Sequence, residues 1–252
     1  MPLPPPLTAL PALDAQLADR GYAVLSAADL ASLAGVPQAA LAAWAPAWDT
    51  LPPDRFLKDG GRYRRRRHGC FVVPAGRAAA PRAVPHRAHW QPVEYNALHG
   101  GIERWFDPLP AAWQDDPAWA GLLQALAVRC EVLRGLAPGS QDWFVEAHPF
   151  RIDTTDGIGR PTPEGAHRDG VDLVVVVLVA RHAIKGGETR VFDAHGPQGL
   201  RFTLTEPWSA LLLDDARVIH ESTPIQPLDS AGTGHRDTLV LTLRSGGFQG
   251  PA

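Results

Sequence analysis

From Trp143 to Arg244 the chain is a succession of short apolar, β-rich runs: WFVEAHPFRI, VDLVVVVLVA, TRVFD, LRFTL, SALLLDD, ARVIHEST and DTLVLTLR. Clusters of Gly, Pro and Asp separate them, which predicts strands joined by turns. The stretch VVVVLV does not alternate, so it reads as an element buried on both faces. Periodicity alone would allow a helix there, but β-branching favours a strand. Earlier in the chain the pattern differs. From Leu7 to about Trp48 it is helical, and Ser26 followed three residues on by Asp29 resembles a capping box. The Ala-rich stretch that follows runs into a Pro52-Pro53 break. Residues 54–100 read as irregular and strongly basic, with a short strand at Cys70-Phe71-Val72-Val73. Residues 111–135 return to helical spacing, with Gly135 as terminator. Gly186-Gly187 predicts a tight hairpin or loop ahead of TRVFD.

Short strands at that density, with metal-type residues between them, fit a double-sheet jelly roll. The fold class is therefore α+β, mainly β, with flanking N-terminal helices. We read 1–252 as a single domain: a helical N-terminal part (1–50), a basic irregular segment with supporting helices (54–142) and a jelly-roll core (143–245). The chain's 252 residues, 45% of them hydrophobic, suffice for one such domain with a sizeable core. A formal net charge of −3 argues against a dominant nucleic-acid or membrane-surface role. Two scattered cysteines, Cys70 and Cys130, make no disulfide framework. No apolar stretch is long enough to span a membrane, and MPLPPPLTAL lacks the features of a secretory signal. The expectation is a cytoplasmic protein acting on a small molecule. The helical third could pack on the barrel or form a homodimer contact.

The chemistry concentrates at His167-Arg168-Asp169 and His220. Residues i and i+2 of an extended segment face one side. His167 and Asp169 can thus bind one ion together while Arg168 points away, and His220 arrives from a distant strand. Two imidazoles and one carboxylate form the facial triad that holds Fe(II) and leaves positions open for a co-substrate and O2. A lone His-x-Asp is more often a polar loop network. Here, however, His220 ends an apolar run, ALLLDDARVIH, and Arg236 opens another, DTLVLTLR. An arginine at that place can grip a carboxylate through two parallel hydrogen bonds.

The segment PEGAHRDGVDLVVVVLVARHAIKGGETRVFD, with LLLDDARVIHESTPI and RDTLVLTLR, resembles the bacterial Fe(II)/2-oxoglutarate dioxygenases related to the free L-isoleucine hydroxylases. RYRRRRHG and EYNALHGGIERWFDPL upstream carry the same resemblance, which covers roughly residues 55–245. It implies a double-stranded β-helix (cupin-like) fold, Fe(II), and 2-oxoglutarate and O2 as co-substrates. On matching positions His167, Asp169 and His220 would be the iron ligands, and Arg236 would bind the far carboxylate of 2-oxoglutarate. Arg244 is the rival for that role, since an even spacing lets both face one side of the strand. The implied reaction is hydroxylation of a small substrate, a free L-amino acid or a derivative of one.

Other residues carry weaker expectations. Thr223 could support the 2-oxoglutarate pocket, although a strand threonine is the plainer reading. Glu146, His148, Arg151 and Arg168 are candidates for substrate contact, with Arg151 opposite Glu146 and His148 if the strand is regular. Gly170 serves either a turn or a close approach. The run 62–67 reads as a solvated strand edge, a polyanion strip, or the source of one inward arginine for a substrate carboxylate. Two other function classes stay open: a cupin-like metal protein holding Zn or Ni without oxygenase activity, and an oxygenase acting on RNA or protein.

Overall fold

The structure is a computed structural model and describes residues 2–76, 78–229 and 232–251. Its elements in chain order are α1 (Leu13–Arg20), β1 (Tyr22–Leu25), α2 (Ala27–Ala34), α3 (Gln38–Ala42), β2 (Arg64–Arg66), β3 (Gly69–Val73), β4 (Arg82–Ala83), α4 (Pro117–Leu133), β5 (Trp143–Asp153), β6 (Leu173–His182), β7 (Ile184–Gly186), β8 (Thr189–Asp193), β9 (Gly199–Phe202), β10 (Ala210–Asp214), β11 (Val218–Ser222), β12 (Ile225–Pro227) and β13 (His235–Arg244).

The main sheet runs β1-β10-β6-β13-β5-β3-β4, with β2 also paired to β5. Opposite it stand a three-stranded sheet, β11-β8-β9, and a pair, β12-β7. This is a double-stranded β-helix. Strand alternation gives the main sheet two different faces. Val145, Ala147, Val175, Val177, Leu239, Leu241 and Leu243 point outward and join the helices in one apolar core. That core includes five tryptophans, Trp44, Trp48, Trp113, Trp119 and Trp208, packed ring against ring. On the inner face, Val174, Leu178, Leu211 and Leu213 pack against Val191, Phe202 and Val218 of the smaller sheet. VVVVLV is a strand buried on both faces because the two cores take alternate valines.

Local signals explain the helix ends. Ser26 Oγ accepts the Asp29 N–H at 3.1 Å and starts α2. Asp116 caps α4 through the Ala118 N–H at 2.8 Å, with Pro117 at the first helical position. Two expectations are corrected. The N-terminal part is not helical throughout: Gly21 (φ 74°) ends α1, and Tyr22–Leu25 pairs with β10 as an edge strand of the main sheet. The basic segment is not merely irregular, since β2, β3 and β4 all join that sheet. Of the two forms expected at Gly186-Gly187, hairpin or loop, the structure has the loop, a crossover from β7, which pairs with β12, to β8, which pairs with β9 and β11. Among the described residues no helix is long and apolar enough to cross a membrane. Cys70 and Cys130 are both free and buried.

Candidate functional site

The half of the inner face built from β2, β5 and β13 is polar, and it lines a cavity. β13 sends Arg236, Thr238, Val240, Thr242 and Arg244 inward; β5 sends Phe144, Glu146, His148, Phe150 and Ile152. β2 adds Arg64 and Arg66. His167, Asp169 and His220 stand on the same cavity.

Backbone pairing brings the three together. His167 and His220 exchange both N–H···O=C bonds at 3.0 Å, an isolated bridge that sets His167 beside the middle of β11. Their rings consequently lie 4.6 Å apart, centroid to centroid. Asp169 follows through a turn in which Gly170 has φ 74°. Asp215 holds that turn, its carboxylate accepting the N–H groups of Asp169 (3.0 Å), Gly170 (2.7 Å) and Val171 (3.1 Å). Asp169 Oδ1 stands 3.9 Å from His167 Nε2, and Oδ2 stands 3.9 Å from His220 Nε2.

The three ligand atoms all lie within 4.8 Å of one another. The 3.9 Å separations exceed those round a bound ion only modestly, so small side-chain adjustments bring the three groups onto one ion. The donor chemistry fits a divalent ion too. His167 Nδ1 donates to the Gly165 carbonyl at 3.0 Å, which turns the lone pair of Nε2 toward Asp169. Burial, reinforced by His167, pushes His220 down to about 3, so its ring is neutral. Burial pushes the Asp169 carboxyl up, against the pull of His167. One side-chain bond supports it: Gln91 Nε2 donates to Oδ1 at 3.0 Å. Gln91 is itself fixed by Asn96 Nδ2 (3.1 Å) and Arg104 Nη2 (2.8 Å), both donating to its Oε1.

A family model for 2OG-Fe dioxygenases matches residues 45–242. The chain belongs to the 2OG-Fe dioxygenase family. It is an oxidoreductase, and the family's cofactor and co-substrate are Fe(II) and 2-oxoglutarate. A bsmA homolog from Methylobium petroleophilum is 56% identical, with a TM-score of 0.90 over 98% of this chain and 97% of that one. IDO from Bacillus thuringiensis shares the fold at 16% identity, with a TM-score of 0.74 over 95% and 97%. The Fe(II)/α-ketoglutarate-dependent dioxygenase TqaL does so at 21% identity, with a TM-score of 0.70 over 94% and 87%. Among curated proteins none matches.

Arg236 and Arg244 both reach the cavity of this dioxygenase but differ in their surroundings. Arg236 is buried and makes no hydrogen bond or ion pair among the described residues. Burial, with Arg181 nearby, pushes it down to about 10, still charged at neutral pH. Arg244 donates to the Gly247 carbonyl at 2.7 Å.

Three substrate or cofactor expectations are corrected by position. Arg151 points away from the cavity and pairs with Asp237 at 2.7 Å and Asp49 at 3.0 Å. Arg168 donates to the Asp215 carbonyl, as an i+1 residue pointing away from the iron side must. Thr223 ties down the Glu188 loop, its Oγ1 accepting the Glu188 N–H at 2.9 Å, and does not line the cavity.

Glu146 and His148 do line the cavity, within a cluster completed by His68 and His89. Glu146 Oε2 lies 2.6 Å from His89 Nδ1, 3.4 Å from His68 Nε2 and 3.5 Å from His148 Nε2. These four could also surround a metal ion. The hydrogen bonds argue otherwise. Arg66 Nη2 donates to His148 Nδ1 at 2.6 Å, so the proton of that neutral ring sits on Nε2 and faces Glu146. Burial lowers all three histidines, His89 to about 3. Burial alone would raise Glu146, but His89 and the other imidazoles hold it well below its usual range. The cluster is a carboxylate held by neutral rings.

Sequence reasoning passed over Gln91, His89, His99 and Arg104, which line the cavity from a segment without periodicity. Tyr95 and Asn96, conspicuous in the resemblance, now have places. Asn96 orients Gln91, and the Tyr95 ring lies so close to Gly170 that a Cβ there would strike it.

Proposed function

We propose that this dioxygenase hydroxylates a small substrate, a free L-amino acid or a close derivative, and that His167, Asp169 and His220 hold its iron. Arg236 takes the far carboxylate of 2-oxoglutarate. The observation that carries the assignment is the buried cationic Arg236, without an acid partner, on the same cavity as three converged ligands. Arg244 already commits a donor to a carbonyl, which favours Arg236.

When bound, iron and 2-oxoglutarate supply the oxidising chemistry that places oxygen on a C–H bond. The protein's own part is orientation. Gly165 and Gln91 aim His167 and Asp169. Val171, Val176 and Val240 give the cavity an apolar wall suited to an aliphatic side chain. Phe248 and Gln249 return from the C-terminal end to complete its lining. Gln249 Nε2 donates to the carbonyls of Asp169 and Gly170, each at 3.0 Å, and holds that return in place. The reading for a free amino acid rests on the PEGAHRDG and KGGET segments together with this mixed charged and apolar lining.

The test is a panel of free L-amino acids incubated with protein, Fe(II), 2-oxoglutarate, ascorbate and air, followed by mass spectrometry with succinate measured in the same samples. One oxygen gained by an aliphatic or sulfur-containing amino acid, matched by succinate and lost in His220→Ala, is the expected result. Neither product nor succinate from iron-loaded protein would overturn the reading.

A further inference from the structure

The arginine run is not used by the iron chemistry, yet half of it is inside. In β2, Arg65 faces out while Arg64 and Arg66 are 5% and 3% exposed. Arg64 is neutralised by Asp54 at 2.7 Å. Arg66 is not. Its guanidinium lies 3.9 Å from the Phe106 ring centroid and 4.2 Å from that of Phe150, clamped between them. Its Nη2 bonds to a neutral imidazole, and no carboxylate pairs with it among the described residues. Arg104 also lacks an ion pair, donating instead to the Gln91 amide oxygen. Glu146 is the acid in this network, but its Oε2 serves the imidazole cluster.

A guanidinium stays protonated even when buried, and a buried charge without a counter-ion is costly. Two such groups on one cavity wall are the makings of an anion site. That site is distinct from Arg236. β2 and β13 both pair with β5, where Phe150 opposes Arg66 on one side and Thr238 on the other. Arg66 and Arg236 thus rise from strands roughly 10 Å apart.

We propose that Arg66, with Arg104 beside it, is the receptor for a carboxylate of the substrate. The substrate is therefore an organic acid, held by its carboxylate at the guanidinium that Phe106 and Phe150 clamp and presented to the iron by its other end. Glu146 is a positioning residue that acts through His148. This assignment rests on the dioxygenase reading above and deepens it.

The experiment compares aliphatic and sulfur-containing L-amino acids with their primary amides as stimulants of succinate release by the iron-loaded full chain. The wild-type protein and Arg66→Gln are run side by side. The acid should exceed its amide at least tenfold in kcat/KM, consistent with loss of a charge-assisted bond. Arg66→Gln should raise the KM for the acid at least tenfold while that for the co-substrate moves less than threefold. Arg66→Lys, which keeps the charge but loses the fork, should fall between, and it replaces Arg66→Gln should that variant not fold. Glu146→Gln should raise the same KM with a smaller effect on kcat.

Equal use of acid and amide, an unmoved KM for the acid in Arg66→Gln, or weakened use of the co-substrate instead would each overturn the proposal. A silent panel in protein whose melting temperature still rises with 2-oxoglutarate overturns it as well. No rise with 2-oxoglutarate overturns the underlying dioxygenase site.

Discussion

Gln91→Leu tests whether the carboxylate of Asp169 is aimed by its neighbours. The Gln91 amide cannot flip, because Asn96 and Arg104 both donate to Oε1 and so commit Nε2 to Asp169 Oδ1. Hydrogen bonds to a charged group contribute about 1.5–3 kcal/mol, and every 1.4 kcal/mol is about tenfold in an equilibrium constant. Loss of an outer partner of a metal ligand weakens metal binding by about 10–100-fold, the same range reached from the bond itself. Leucine fills much of the same space without either polar atom, so the Fe(II) dissociation constant should rise by that factor. The variant also strips the acceptor from Asn96 and Arg104, which are 5% and 2% exposed. A buried donor left unpaired costs about 1–3 kcal/mol, so urea denaturation should show a loss of that order. Anaerobic calorimetric titration of the metal-free protein with Fe(II) reads the first effect separately from the second. An affinity within twofold of wild type would refute the reasoning, and a stability loss alone would make Gln91 a purely structural residue.

Asp169→Ala should abolish both iron retention, read by metal analysis after desalting, and succinate release. Arg236→Leu should raise the KM for the co-substrate at least tenfold without lowering the melting temperature, since it removes a buried cation that no acid compensates. Gly170→Ala should cost about 1–3 kcal/mol in urea denaturation, from a left-handed φ and a collision with Tyr95; an unchanged midpoint would contradict the turn described. Stability should also fall in acid. His68, His89 and His148 stay neutral when folded, with burial lowering each and taking His89 to about 3, whereas an unfolded histidine takes up its proton near 6.5. The unfolded chain therefore binds more protons below pH 6.5, and folding loses about 1.4 kcal/mol per pH unit for each such ring. Urea unfolding at pH 7 and pH 5.5 checks the sign, and equal stability at the two would refute it.

The parts of this structure legible in the sequence are those that depend on local pattern. The strands from Trp143 onward, the Ser26 cap and the α4 helix follow from periodicity and end signals. His167, Asp169 and His220 stand out because an i, i+2 pair keeps its meaning wherever it is folded. What the sequence conceals depends on partners distant along the chain. Tyr22–Leu25 looks like part of a helical region until β10 is there to pair with it. Gln91 acquires a role only when the loop carrying it is laid over Asp169. Arg151 and Arg66 sit on neighbouring strands of one sheet, and only the pleat assigns the first to Asp237 and the second to the cavity.

The charges in and behind the cavity wall are not satisfied evenly, and the imbalance carries functional information. Asp54 has Arg64, Asp215 has three backbone N–H groups, and Glu146 has its imidazoles. Glu164 is the exception, 3.6 Å from His167 Nε2 with no arginine or lysine paired to it among the described residues. The groups otherwise left without counter-ions among the described residues are cations: Arg66, Arg104 and Arg236, together with Arg244, which the Gly247 carbonyl already holds. A divalent ion at His167, Asp169 and His220 would add to that excess. Folding alone gives no reason to bury such charges, because apolar residues of similar size would cost less. They persist at a profit only if anions arrive. 2-Oxoglutarate would bring two carboxylates, one for the iron and, on the function proposed above, one for Arg236. A third carboxylate, from the substrate, would answer the remaining pair.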